Sequence, residues 1–363
     1  MLQIEITSFC NLRCFMCAKT LGYHGTPPDR CIDMDIVDRL EGVFPSLDYV
    51  DLSGVWGEAL IKPGLYLDIL ERLKRHRITV RTISNGTLIT REVASEMVRH
   101  GLDIFSVSVD AARPETYRKI RIGAELENVL SGIGLLRAEK MRQEKSVPKI
   151  EFLVLGMRDT IEELPDIVRM AASSGASRVV LQEMVDFEEV KGQSLACGYR
   201  ELGRDWFGRA LRVSRELGVE LSLLPADQFE EPSEAERHKE ATGTRRMELF
   251  KDCVLPWTMA VVTTTGDVIP CCTMFASMGN LREESFQDIW NGERYRALRR
   301  GLLSAAPPPS CVVCAARGWR GPDPRVELQA ARDLLSSALR RLFQNSSVLR
   351  RAKPMLKKLL GKR

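Results

Sequence analysis

The sequence predicts an α/β fold: a partial (β/α)6 barrel followed by a small C-terminal β-hairpin/helix segment. Three observations predict it. Short β-like runs alternate with amphipathic helical stretches over the first 225 residues, which implies βαβ units and a parallel sheet. Polar residues suited to chemistry recur just after those runs, at the strand ends where a parallel barrel gathers its site. Beyond a polar linker at 226–250 the composition changes, and five cysteines fall between 253 and 314.

Each element follows from local pattern. "LQIEIT" is a first strand, leading into a cysteine loop and a helix over 33–44. "YVDLSG" precedes a helix over 64–75, and "ITVRTIS" precedes one over 90–100. "DIFSVSV" precedes two helical pieces over 114–120 and 125–143. "KIEFLVL" precedes 160–174, "SRVVLQEM" precedes 201–216, and "VELSLL" is a last short strand. The rim then collects the cysteine loop, "SGVWGE", "SNG" (84–86), "SVD" (108–110) and "QE" (182–183), each after a different strand. The expected domains are a barrel at 1–225, a linker at 226–250, a cysteine-rich domain at 251–320 and a basic tail at 321–363.

The chain has 363 residues, 44% hydrophobic and 28% charged, the balance of a soluble globular protein. It shows no run of eighteen apolar residues and no charged-then-apolar leader, so a cytoplasmic location is expected. The net charge of +4 hides an asymmetry. Residues 325–363 hold eleven Lys/Arg against two Asp/Glu, which leaves the body with 42 basic and 47 acidic residues. The body has no general affinity for polyanions, and no nucleic-acid partner is expected. The tail carries Leu328, Leu334, Leu335, Leu339 and Leu342 at helical spacing with basic flanks, and two readings stand: a solvated end, or a peripheral hold on an anionic membrane or acidic partner.

Cys10, Cys14 and Cys17 stand at C-x3-C-x2-C spacing after the first strand. Three thiolates are one short of a closed zinc or iron–sulfur site. With its "CNLRC" lead-in, this loop resembles the signature of the radical S-adenosylmethionine (radical SAM) enzymes. The resemblance implies a TIM-like partial barrel and a [4Fe–4S] cluster whose fourth iron is left for SAM. It further implies reductive cleavage of SAM to a 5′-deoxyadenosyl radical that abstracts a substrate hydrogen atom. "WGEAL" resembles the family's Gly-Gly-Glu-Pro element at Gly57 and Glu58, with Ala59 where the family has Pro. By the same resemblance Ser84 and Asn85 lie near SAM, Ser108 and Asp110 meet its ribose, Arg121 meets its carboxylate, and Phe15 stacks near the adenine. A zinc knuckle with a fourth ligand elsewhere is the alternative on the cysteines alone.

"VVTTTGDVIP" is a hairpin signal across a Gly-Asp turn, so Cys253 and Cys271 are brought together although far apart in sequence. Cys311 and Cys314 follow an amphipathic helix. This set resembles the SPASM or shorter twitch extension of radical SAM enzymes and implies one auxiliary [4Fe–4S] cluster. Cys272 is the alternative to Cys271, and structural zinc is the alternative metal. Cys31 and Cys197 have no partner by spacing.

Taken with the resemblance, the expected function is that of a radical SAM oxidoreductase, resembling twitch-type dehydrogenases. The auxiliary cluster takes the electron left on a small-molecule or carbohydrate-like alcohol, and a flavodoxin- or ferredoxin-type donor supplies the first electron. No recognition segment precedes the first strand, which favours a small substrate over a peptide. The alternatives are a peptide- or protein-modifying maturase and a non-catalytic metal-binding or electron-transfer protein. His24 and Glu183 are weak candidates for a general base.

Overall fold

The structure is a computed structural model. It describes residues 1–22, 28–184, 188–195, 198–224, 253–271 and 276–304, together with Phe229, Pro308 and Cys311. Seven parallel strands run in chain order: β1 (Leu2–Ile4), β2 (Tyr49–Leu52), β3 (Thr79–Ser84), β4 (Ile104–Ser108), β5 (Lys149–Gly156), β6 (Arg178–Glu183) and β7 (Glu220–Leu224). Each is registered on its predecessor, as the six expected βα units require. Helices α1 (Met34–Asp38), α2 (Pro63–Arg75), α3 (Arg91–His100), α4 (Pro114–Ile120), α5 (Leu126–Arg142), α6 (Leu164–Ser173) and α7 (Arg200–Leu217) connect them.

One helix departs from expectation. The segment 33–44 yields only the five residues of α1, followed by turns and a 3-10 turn at Phe44–Ser46. Gly42 loses more backbone freedom than most residues in a helix, and Pro45 lacks the N–H a continuing helix needs.

Alternation along the strands separates two faces. Leu2, Ile4, Ile6, Val50, Leu52, Val80, Phe105, Val107, Phe152, Val154, Val179 and Leu181 are buried in the main core with residues of the helices. The opposite face is polar at its floor. Gln3 donates to Ser53 (3.1 Å), Arg81 pairs with Asp51 (2.6 Å), and Ser106 donates to Glu151 (3.1 Å), which Arg178 approaches at 3.7 Å. These partners sit on adjacent strands, so their side chains share one side of the sheet, the lumen of the partial barrel.

The C-terminal hairpin extends this same sheet. Strands β8 (Ala260–Val262), β9 (Asp267–Ile269) and β10 (Gly279–Asn280) give the order β10-β9-β8-β1-β2 and onward to β7. β8 lies parallel to β1 with Gln3 opposite Val261, while β8 and β9 pair antiparallel. The turn is Thr263–Gly266 rather than Gly-Asp: Gly266 closes it at φ 89°, where a side chain is strained, and Asp267 already opens β9. Residues Met1–Gly321 form one compact unit. The basic tail falls in the second unit, Pro322–Arg363, outside the described residues.

Candidate functional site

The cysteine loop leaves β1 and is tied to three other segments of the rim. Arg13 N–H donates to the Ile122 carbonyl (2.9 Å) and Phe15 N–H to that of Ile120 (3.1 Å), docking it on the segment after α4. The Asn11 side chain donates to Thr87 (2.8 Å) and accepts from Asn85 (2.9 Å), docking it on the loop after β3. Glu58 N–H donates to the Phe9 carbonyl (2.8 Å), docking it on the loop after β2. Gly57 is required there, because a Cβ would lie 1.9 Å from the Thr7 carbonyl oxygen.

Most of the expected site residues are brought together on this rim. Glu58, 3% exposed, accepts hydrogen bonds from Leu60 N–H (3.1 Å), the Ser84 hydroxyl (2.7 Å) and Asn85 N–H (2.7 Å). Its carboxylate therefore joins the loops after β2 and β3, and burial raises its pKa against those donors. Asp110 is fully buried, with one oxygen accepting from Leu155 N–H (2.8 Å) and the other from Arg121 Nε (2.6 Å). Both Asp110 oxygens are thus engaged by the protein, and they aim Arg121, whose Nη1 lies 3.7 Å from Cys14 Sγ. Ser108 is half-buried at the end of β4 on the face of Ser106, and Phe15 packs against the main core.

Cys14 is buried, and Cys10 and Cys17 are half-buried. Burial pushes the Cys10 and Cys14 thiols up, Arg121 pulls Cys14 back, and the neighbouring cysteines add to the rise at Cys10 and Cys14. Among the described residues no three His, Cys, Asp or Glu side chains converge on a single metal ion. A cubane asks for something different, one thiolate on each of three irons. Three mutually repelling sulfurs in one rim loop fit such a cationic iron core. So does the buried Tyr117 hydroxyl, which lies one helical turn before Arg121 and has no hydrogen-bond partner among the described residues.

The second cysteine set lies at the other end of β1. The Met1 amino group donates to the Thr258 carbonyl (2.9 Å), and Ala260 N–H donates to the Met1 carbonyl, so β8 starts beside the start of β1. Cys253 and Cys271 pack together against Leu255, Met259, Val261 and Ile269. Cys271 also packs with Cys311 against Leu298 and Leu302. Burial raises the Cys253 thiol and the neighbouring Cys271 raises it further. Cys272 and Cys314, like His24 and Cys197, lie outside the described residues. From Met1 to Thr7 the extended chain covers about 20 Å at roughly 3.3 Å per residue, so the two sets flank the lumen from opposite ends.

Glu183, the last residue of β6, is buried on the face of Val179 and Leu181, while Gln182 shares the lumen face of Arg178. The structure does not bring Glu183 to the lumen. It does bring Glu5 there, which the sequence reading missed. The fully buried Glu5 carboxylate accepts from Trp56 N–H (2.9 Å) and Thr264 N–H (3.2 Å), pinning the loop after β2 and the hairpin turn to β1. The available signal was its place opposite the apolar Leu2-Ile4-Ile6 face.

Residues 4–171 match the family model described as the radical SAM superfamily, and residues 253–315 match SPASM, an iron–sulfur cluster-binding domain. The chain is 25% identical over 344 residues to a tungsten-containing aldehyde ferredoxin oxidoreductase cofactor-modifying protein of Pyrococcus furiosus, covering 87% of each chain. It is 26% identical over 307 residues to an AdoMet-dependent heme synthase of Methanosarcina barkeri, covering 81% of this chain and 83% of that one. Streptococcus suis SuiB bound to S-adenosylmethionine superposes with TM-score 0.61 at 14% identity, over 82% of this chain and 67% of SuiB. These solved structures share the fold.

Proposed function

We propose, for a chain that belongs to the radical SAM superfamily and carries a C-terminal SPASM domain, that it oxidises a small-molecule substrate held in the barrel lumen. The observation that carries this reading is the placement of the two cysteine sets at opposite ends of β1, with the lumen between them. When bound, SAM and the clusters supply a hydrogen-abstracting radical at one end and an electron acceptor at the other.

The residues of the chain have separable tasks in this reading. Cys10, Cys14 and Cys17 hold the SAM-binding cluster; Cys253, Cys271, Cys311 and Cys314 hold the auxiliary one. Gly57 lets the loop after β2 reach the cysteine loop, and Glu58 fixes it to Ser84 and Asn85. Arg121, aimed by Asp110, and the side chains of Phe15 and Ser108 face SAM. The ion pairs Asp51–Arg81 and Glu151–Arg178 close the lumen floor. A flavodoxin- or ferredoxin-type protein delivers the first electron, in the cytoplasm.

Two relatives that match along most of their length are named for modifying a cofactor and for making heme, which supports a small-molecule substrate. Peptide modification has fold likenesses behind it, to SuiB bound to its precursor peptide and to anSMEcpe with a bound peptide, at 14% and 13% identity. The test is the Cys311→Ala variant. Uncoupled formation of 5′-deoxyadenosine should partly persist while the two-electron-oxidised product collapses. Full product formation by that variant would remove the electron-accepting role.

A further inference from the structure

The two cysteine sets share an arrangement that the assigned roles leave unused. Each has a Tyr-x3-Arg pair on an adjoining helix: Tyr117 and Arg121 at the end of α4, Tyr295 and Arg299 on the helix Glu293–Leu302. Residues four apart lie on one helix face. Both tyrosines are 0% exposed. Both hydroxyls lack a hydrogen-bond partner among the described residues, and a buried unpaired hydroxyl costs roughly 1–3 kcal/mol.

Each tyrosine stands beside a segment that meets a cysteine of one set. Tyr117 is one turn from Arg121, whose Nη1 lies 3.7 Å from Cys14 Sγ, and the cysteine loop docks on the same segment through Phe15 N–H to the Ile120 carbonyl (3.1 Å). Tyr295 shares its helix face with Leu298 and Leu302, the residues against which Cys271 and Cys311 pack. Arg299 Nε and Nη1 donate to the carbonyls of Pro256 and Trp290, each at 2.9 Å, its guanidinium lies over the Trp290 and Tyr295 rings, and its Nη2, like the Tyr295 hydroxyl, has no hydrogen-bond partner among the described residues.

We propose that Tyr117 and Tyr295 are positioning and tuning donors, one per cluster, whose hydroxyls hydrogen-bond sulfur at the Cys14 and Cys271 corners when the clusters are bound. A hydrogen bond to cluster sulfur withdraws electron density and makes the added electron easier to hold. The two tyrosines therefore set the two potentials independently, and Arg121 adds a cation to the first corner only. The inference rests on the reading that these cysteines hold clusters.

The experiment is a redox titration of the anaerobically reconstituted full chain, followed by electron paramagnetic resonance with and without SAM. The signal that SAM alters belongs to the three-cysteine cluster, so the two are told apart. Tyr117→Phe should make reduction of the SAM-responsive cluster about three- to tenfold less favourable, tenfold being 59 mV for one electron, and leave the other unmoved. Tyr295→Phe should do the reverse. Each variant removes only an oxygen that lacks a partner among the described residues, and iron content confirms loading. As a second measurement, incorporation of fluorotyrosine, a stronger donor, at all six tyrosines should raise both potentials in wild type, and the rise at each cluster should vanish when Tyr117 or Tyr295 respectively is phenylalanine. Potentials that stay within twofold at full iron in both variants, or a shift in the wrong cluster, overturn the inference. Absence of iron or of any SAM-responsive signal in the wild type would instead overturn the cluster reading beneath it.

Discussion

Replacing Gly57 by Ala tests the close approach on which the rim depends. The new Cβ would stand 1.9 Å from the Thr7 carbonyl oxygen, 2.7 Å from its carbon and 2.8 Å from the Phe9 carbonyl oxygen. All of these are backbone atoms, so no rotamer change relieves the overlap, and the loop must move by more than about 1 Å to restore normal contact. Overpacking of this kind costs about 1–3 kcal/mol, and the same movement breaks the 2.8 Å bond from Glu58 N–H to Phe9, worth about 1 kcal/mol. The sum, about 2–4 kcal/mol, lowers Tm by about 4–8 °C at roughly 2 °C per kcal/mol for a chain of this size. SAM binding should fall with it, because Glu58 moves away from Ser84 and Asn85. Gly64→Ala is the matched control. Nothing lies within 4 Å of that Cβ, and the position is the second residue of α2, so alanine there should stabilise by about 0.4–1 kcal/mol. Thermal denaturation and SAM titration of the two variants make the comparison. Equal Tm and equal SAM affinity for both would refute the packing argument.

Three further predictions concern other parts of the chain. The triple variant Cys10→Ala, Cys14→Ala, Cys17→Ala should keep about half the iron and lose SAM cleavage, read by iron analysis and 5′-deoxyadenosine assay; cleavage that survives would reassign the ligands. Glu5 has its pKa raised by burial, against the donors Trp56 and Thr264, above the ordinary 4.5. A raised carboxyl contributes stability that is full below the unfolded pKa and is lost as pH rises through the folded one. The non-ionising Glu5→Gln should therefore gain on the wild type as pH climbs from about 4.5, in urea denaturation at a series of pH values, and a pH-independent difference would contradict this. Of the two readings of the tail, the peripheral hold on an anionic membrane predicts salt-sensitive co-sedimentation of the full chain with anionic vesicles that is lost when residues beyond 324 are deleted; equal binding by both lengths, or none by either, would remove it.

The strands and most helices were legible because their signals are local. "TVRTIS" and "KIEFLVL" carry β-branched alternation, and α3 begins at a Thr90 cap that accepts from Val93 N–H and ends at left-handed Gly101. Cysteine spacing placed the rim loop and the hairpin pair for the same reason. What stayed hidden depends on contacts distant in sequence. Nothing local says that β8 pairs parallel with β1, or that Glu5 meets Thr264, 259 positions away. Asp110 is expected to meet SAM by the family resemblance, while its hydrogen bonds with Leu155 and Arg121 are contacts that no local pattern carries. Tyr117 and Tyr295 carried no signal in the sequence, since a missing partner shows only once neighbours are in place. Among the described residues no helix is long and apolar enough to cross a membrane.

The most direct test of the central claim is formation of 5′-deoxyadenosine by the anaerobically reconstituted, dithionite-reduced chain supplied with SAM. The account predicts a brown protein with about eight irons, from three plus four cysteine ligands, that yields 5′-deoxyadenosine and loses it when Cys14 is replaced. A colourless zinc protein, or an iron-loaded one that leaves SAM intact, would contradict it.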